Sequence, residues 1–230
     1  MTVQSNIFNV VRAKLGIMGK CRFNSKYYDY SANEPGNYEC DEEALPSGFC
    51  IFHDRNYKNN KKRSEKIYEK IRTALEKDES LFFIGCYFLD IKIKENFTNA
   101  VYFTKTTFTN TDFSGSKFHK VDFSGAKFQN ANFSKVFFEE SDFLASKFRE
   151  EADFSNAVFK DKVNFSESVF KKANFNGSTM KRAQFLGSKF QTADFSFTKI
   201  EDSDFYGVEF RNNANFVGTY IKKTILFIHI

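Results

Sequence analysis

From Phe103 to Leu226 a large apolar residue recurs every fifth position, and the residue two places before it is never large. The stretch VDFSGAKFQNANFSK at 121–135 shows the rhythm, with Phe123, Phe128 and Phe133 as centres and Val121, Ala126 and Ala131 as their small companions. A period of five fits neither the 3.6 of a helix nor the 2 of a strand. It persists through 25 consecutive units, broken only by six-residue steps at Phe148–Phe154, Phe159–Phe165 and Phe210–Phe216. Within the long runs Met180 and Ile200 replace Phe as centres, so the position selects volume. One position always large beside one always small is a packing rule, because protein interiors are filled to crystal-like density.

Composition follows from the repeat. Phe supplies 32 of 230 residues, with no Trp and two Pro. The A-(D/N)-F-x-x pattern, as in Ala131-Asn132-Phe133 and Ala193-Asp194-Phe195, resembles that of the pentapeptide-repeat family. The resemblance implies a mainly β chain folded as a right-handed quadrilateral β-helix, one pentapeptide per side and four per coil, about seven coils in all from Leu81 onward. The large and small residues would point inward and the others outward. Each side is too short to bury anything alone, so stability must come from stacked coils.

A four-sided coil sorts the surface. Every fourth unit shares a face, and two opposite faces carry Asp or Asn before most centres, as at Asp112, Asp122, Asn132, Asp142, Asp194 and Asp204. The other two carry Lys117, Lys127, Lys147, Lys189 and Lys199 at that place. The full repeat is therefore ten residues long. The three six-residue steps all leave a Lys-bearing face, where a corner admits an extra residue most easily.

Upstream, Phe83, Phe88 and Ile93 keep the step of five, with Cys86 at a small inward position, while Lys94–Ala100 is an irregular join. Bare rings and unpaired backbone at the first coil need a cap. Residues 56–80 supply a helix, with Ser64 as its predicted N-cap and Ile67, Ile71, Ala74 and Leu75 as its apolar stripe. The basic run Lys58, Lys61, Lys62 and Arg63 reads as a solvated helix start.

Residues 1–55 hold the one constellation with chemistry. In YECDEEALPSGFCIFHD, at 38–54, Cys50 and His53 form a C-x-x-H pair, with Cys40 ten residues earlier and Cys21 nineteen before that. Three thiolates and one imidazole complete a tetrahedral site that zinc closes without an open position. The segment also resembles small Cys/His modules that precede some pentapeptide-repeat domains. We therefore expect structural Zn2+ on Cys21, Cys40, Cys50 and His53, in three segments: a Cys/His module at 1–55, a capping helix at 56–80 and the β-helix at 81–230. The alternative for these residues is buried thiols and a surface histidine. No secretory pattern is read in MTVQSNIFNVVRAKLG and no apolar run reaches 18 residues, so the expected setting is cytoplasmic and off the membrane.

No P-loop, G-x-S-x-G or H-E-x-x-H motif occurs, and His119 has no Ser or Cys at a useful spacing. The expectation is a non-enzymatic protein-interaction scaffold with an unidentified protein partner. Two alternatives stand beside it. One is nucleic-acid or other polyanion binding by the Lys-bearing faces. The other is DNA mimicry protecting a topoisomerase, which the family includes. Mimicry needs a strongly acidic surface, whereas residues 81–230 hold 20 basic and 17 acidic groups. The apolar end formed by Ile225, Leu226, Phe227, Ile228 and Ile230 suits a homodimer through the last coil.

Overall fold

The structure is a computed structural model and describes residues 19–29 and 32–229; the side chains of 227–229 lie outside that description, as do the N-terminal reading above and Ile230. Chain order is a hairpin of β1 (Asn24–Asp29) and β2 (Glu34–Glu39), the helix α1 (Asn60–Lys77), and then a β-solenoid of about seven turns. Solenoid strands are two to seven residues long and pair in parallel with the equivalent strand one coil away. The register aligns like with like: Phe108 with Phe128, Phe128 with Phe148, Phe148 with Phe170, Phe170 with Phe190, and Phe190 with Phe210. A second ladder aligns Phe97, Phe118, Phe138, Phe159, Met180, Ile200 and Ile221. Six-residue steps therefore enter without shifting any centre out of its column.

Two kinds of corner explain the ten-residue period. After a centre on an Asp/Asn face the chain makes a β-turn: the Ala126 amide donates to the Phe123 carbonyl at 2.9 Å, and Gly125 sits at φ 65°. A type II turn requires that left-handed conformation at its third residue, which glycine adopts most cheaply. The preceding carboxylate or amide fastens the turn. Asp122 accepts from the Ser124 amide at 2.7 Å, and Asp112, Asn132, Asp142, Asp153, Asn164 and Asp194 do the same two residues on. After a Lys-face centre the corner differs. Past Phe108 and Phe128 the strand runs on through a single left-handed residue, Asn110 or Asn130, whereas past Phe138, Met180 and Ile200 it ends at a bend with Glu140, Arg182 or Asp202 left-handed. There a capping side chain is not needed, and Lys, Val or Thr stands in its place.

The interior is filled by rings. Every Phe centre from Phe103 to Phe205 is at most 2% exposed. Sheet spacing of about 4.8 Å places rings of one column face to face, as for Phe108 and Phe128 at 4.8 Å and 5°, while neighbouring columns meet edge to face, as for Phe128 and Phe133 at 75°. The irregular join resolves as a four-residue step followed by a six-residue one. Phe97 takes its place under Phe118, a centre missed in the sequence because Glu95, two places before it, is not small.

Helix α1 differs from expectation at both its cap and its stripe. Asn59, not Ser64, is the N-cap, accepting from the Lys62 amide at 3.0 Å; Ser64 lies inside the helix and donates to the Asn60 carbonyl. The earlier start turns Arg63 inward. The buried stripe is Arg63, Ile67, Ile71 and Ala74, while Leu75 is exposed. The helix packs on the strands Leu81–Phe82 and Tyr87–Leu89 of the first coil.

Candidate metal centre

The hairpin explains how Cys21 and Cys40 meet despite their separation in sequence. Both lie at its open end, where the Cys40 amide donates to the Phe23 carbonyl at 3.1 Å and the Cys21 amide to Glu42 at 2.8 Å. Cys50 and His53 come from one tight turn, with the His53 and Asp54 amides both donating to the Cys50 carbonyl. The sequence pattern showed the knuckle but held no signal for the hairpin.

The four residues converge and are buried, their ligand atoms all within 4.8 Å of one another. Cys40 Sγ lies 3.7 Å from Cys50 Sγ, and His53 Nδ1 lies 3.5 Å from Cys21 Sγ and 3.2 Å from Cys50 Sγ. With metal bonds of about 2.3 Å to sulfur and 2.0 Å to nitrogen, a tetrahedral zinc requires about 3.8 Å between sulfurs and 3.5 Å from sulfur to nitrogen. The donor set fits such an ion.

The surroundings orient the donors. His53 Nε2 lies 2.8 Å from the Ile84 carbonyl, an acceptor, so Nε2 carries the proton and Nδ1 turns its lone pair toward the sulfurs. Phe23 stacks on the imidazole at 4.0 Å and 6°. Burial pushes the Cys21 thiol up, opposed by the Cys50 amide, which donates to its Sγ at 3.2 Å. Cys40 is held down to about 4, first by the hydrogen bond from Cys50 and then by His53 against the effect of burial; Cys50 is pushed up by that same hydrogen bond and by burial.

Two neighbours went unread in the sequence. Cys86 does occupy a small inward position, yet its sulfur lies 3.5 Å from His53 Nε2, on the side of the ring away from the three other sulfurs. Burial pushes its thiol well up. Arg63, expected on a solvated helix start, is 4% exposed and donates to the carbonyls of Ile51 at 2.7 Å, Asp54 at 2.6 Å and Tyr57 at 3.4 Å. It thereby ties the turn carrying Cys50 and His53 to the helix. The module docks on the first coil through the same residues. Phe23 crosses Gly85, where a Cβ would lie 2.1 Å from the ring, and the Tyr87 amide donates to Phe52.

His119 pairs with Glu139, its Nδ1 2.9 Å from the carboxylate, and remains partly exposed. A column runs from Asp122 through Asp142, Asn164 and Gln184 to Asp204, one residue per coil.

The family model for pentapeptide repeats in eight copies matches residues 96–134, and that for nine copies matches 123–169 and 143–189. Residues 96–189 of the solenoid are pentapeptide repeats. Among solved pentapeptide-repeat structures, trypsin-treated QnrB1, a plasmid-mediated fluoroquinolone resistance protein, is 16% identical with a TM-score of 0.26, over 63% of this chain and 91% of its own. HetL, involved in heterocyst differentiation regulation in the cyanobacterium Nostoc sp. strain PCC 7120, is 12% identical with a TM-score of 0.21, over 61% and 85%. Rfr23 from the cyanobacterium Cyanothece 51142 is 15% identical with a TM-score of 0.18, over 70% and 99%. No curated protein matches the chain. Among the described residues no helix is long and apolar enough to cross a membrane.

Proposed function

We propose that this protein is a non-enzymatic docking scaffold: a pentapeptide-repeat rod whose first coil is closed by a zinc-fastened module and whose last coil pairs with a second copy. The observation that carries this reading is the occupation of the interior. Stacked rings fill it from Phe103 to Phe210, and the grooves between coils lie open on the surface. The carboxylates that recur most regularly, Asp112, Asp122 and Asp142 among them, accept from turn amides. A catalytic carboxylate needs a pocket and a free oxygen.

For the module, zinc on Cys21, Cys40, Cys50 and His53 would supply folding energy that its few apolar residues do not. The four described cysteines are buried thiols without disulfides, which supports a cytoplasmic setting. At the other end, the strand Ile225–His229 is the last rung of its ladder, and Ile221, Ile225 and Leu226 are exposed. An edge of that kind is covered when a second chain pairs with it.

Metal analysis of freshly purified protein tests the module, and less than half an equivalent of zinc sinks it. Light scattering tests the dimer: a monomer at high concentration removes it. For the scaffold, affinity capture is run with wild type and with charge-reversed variants of each face. A defined partner lost with one face supports docking, and the same set of proteins held by every variant overturns it.

A further inference from the structure

The two Lys-bearing faces are not equivalent. On the face built over Phe118, Phe138 and Phe159, cations are met by acids across the coils or, for Lys199, along its own strand. His119 and Lys160 both reach Glu139, at 2.9 and 2.7 Å, Lys120 faces Glu140, Lys199 pairs with Glu201, and Arg182 pairs with Asp161. Glu139 and Glu201 interrupt its central column.

The face over Phe128, Phe148, Phe170, Phe190 and Phe210 is continuous. Five successive coils each turn at least one cation outward: Lys127, then Lys147 with Arg149, then Lys171, Lys189 and Arg211. Among the described residues Lys127, Lys147 and Arg149 have no ion-pair partner. Lys171 is met by Glu150, while Lys189 and Arg211 share the single carboxylate of Glu209. Lys147, Arg149, Lys171, Lys189 and Arg211 line one open groove of about 610 Å³, whose floor is backbone above the buried rings of Phe148, Phe170 and Phe190.

Geometry narrows the ligand. Outward residues flanking one centre stand about 6.6 Å apart along the strand, and successive coils about 4.8 Å apart along the rod. The cations thus form two parallel rails with space for a single chain between them. The other outward positions on the rails are Gln129, Val169, Gln191 and Glu209, so nothing there stacks a nucleobase. An extended acidic peptide presents same-side carboxylates about every 6.6 Å, out of step with the coils. A chain charged at every unit meets cations at any pitch.

We propose that this face binds a linear inorganic polyphosphate chain laid along the rod axis, held by Lys127, Lys147, Arg149, Lys171, Lys189 and Arg211. The site is separate from protein docking and does not depend on it.

The test is titration of the full chain with inorganic polyphosphate of defined length at rising salt, using wild type, a Lys147→Gln/Arg149→Gln/Lys171→Gln variant, and a Lys160→Gln/Lys181→Gln control from the opposite face. All five substituted positions are on the surface, and melting curves confirm folding of each protein. Wild type should bind at low salt, with the logarithm of affinity falling linearly against the logarithm of salt. The triple variant should lose about tenfold or more and flatten that slope by about 3, and the control should stay within about twofold. Three outcomes overturn the proposal: no binding at low salt, equal loss in the control, or tighter binding of single-stranded DNA or poly-glutamate than of polyphosphate.

Discussion

Phe148 lies on Phe170 with ring centroids 4.4 Å apart and planes 4° from parallel. Below it Phe128 repeats the contact at 4.7 Å and 6°, and Phe154 closes its side at 73°. Each ring is thus held by the coil beneath, the coil above and a neighbouring column. Phe148→Ala should destabilise the protein by about 3–5 kcal/mol, because stacked coils cannot collapse into the void. Repeat proteins couple chiefly to nearest neighbours. Hydrogen exchange should therefore accelerate most in the coils of Phe128 and Phe170 and least near the first coil. Chemical denaturation gives the magnitude, and exchange gives the locality.

The small inward residues divide into two groups that a melting experiment can separate. Ser168 donates to the Phe143 carbonyl at 2.6 Å, and Thr198 does the same to Phe175 at 2.9 Å. Ser188 is as deeply buried, yet its hydroxyl has no partner among the described residues. A buried hydroxyl left unpaired costs about 1–3 kcal/mol. Ser188→Ala should therefore raise stability by about 1 kcal/mol, whereas Ser168→Ala should lower it by about as much. Equal losses at both positions would contradict the assignment.

Arg63 offers a third measurement. Its guanidinium serves the Ile51, Asp54 and Tyr57 carbonyls and lies over the Tyr57 ring at 5.3 Å. Burial lowers its pKa from the ordinary value, against the pull of the Asp54 carboxylate. Arg63→Ala leaves those carbonyls without their donor and should cost about 3 kcal/mol, with the helix and the Cys50–His53 turn loosening together. Arg63→Lys cannot reproduce the planar fork and should recover only part of the loss. Thermal melts and exchange over 50–77 read both effects.

Legibility in the sequence followed the range of the interactions. The solenoid was readable from Phe103 onward because each centre repeats one local rule, large residue and small companion, that the neighbouring coils impose again. Phe97 escaped because its coil breaks the rule at Glu95. Why Asp and Lys alternate was readable as a pattern but not as a cause. Asp122 fastens a turn through the Ser124 amide, whereas Lys127 precedes a strand that continues past its corner. The Cys/His set was legible in residue type, since C-x-x-H is a local signature. The hairpin that returns Cys40 to Cys21 rests on tertiary pairing, which no spacing encodes. Arg63 and Ser64 were misassigned for one reason: the charge run marked a helix start, and only burial of the 51–57 loop showed which cation turns inward.

Four cysteines surround His53, and their roles separate by which ring nitrogen they face. Cys21 and Cys50 lie on the Nδ1 side at 3.5 and 3.2 Å, and Cys40 joins them through Cys50 at 3.7 Å. Cys86 lies on the Nε2 side, where the ring proton already points at the Ile84 carbonyl. A metal bound at Nδ1 is therefore out of reach of Cys86. Cys50→Ser should leave the purified protein with little zinc and expose the first coil, lowering the melting temperature and raising dye binding to apolar surface. Cys86→Ser should keep about one equivalent, because it removes a packed thiol and no ligand. Chelation of wild type should reproduce the Cys50→Ser state in the module while the parallel ladder from Phe128 to Phe190 keeps its exchange protection. Zinc content paired with exchange by mass spectrometry reads these outcomes together. Equal zinc loss from Cys50→Ser and Cys86→Ser would mean that the ligand set includes the fourth thiol and that the imidazole binds through its other nitrogen.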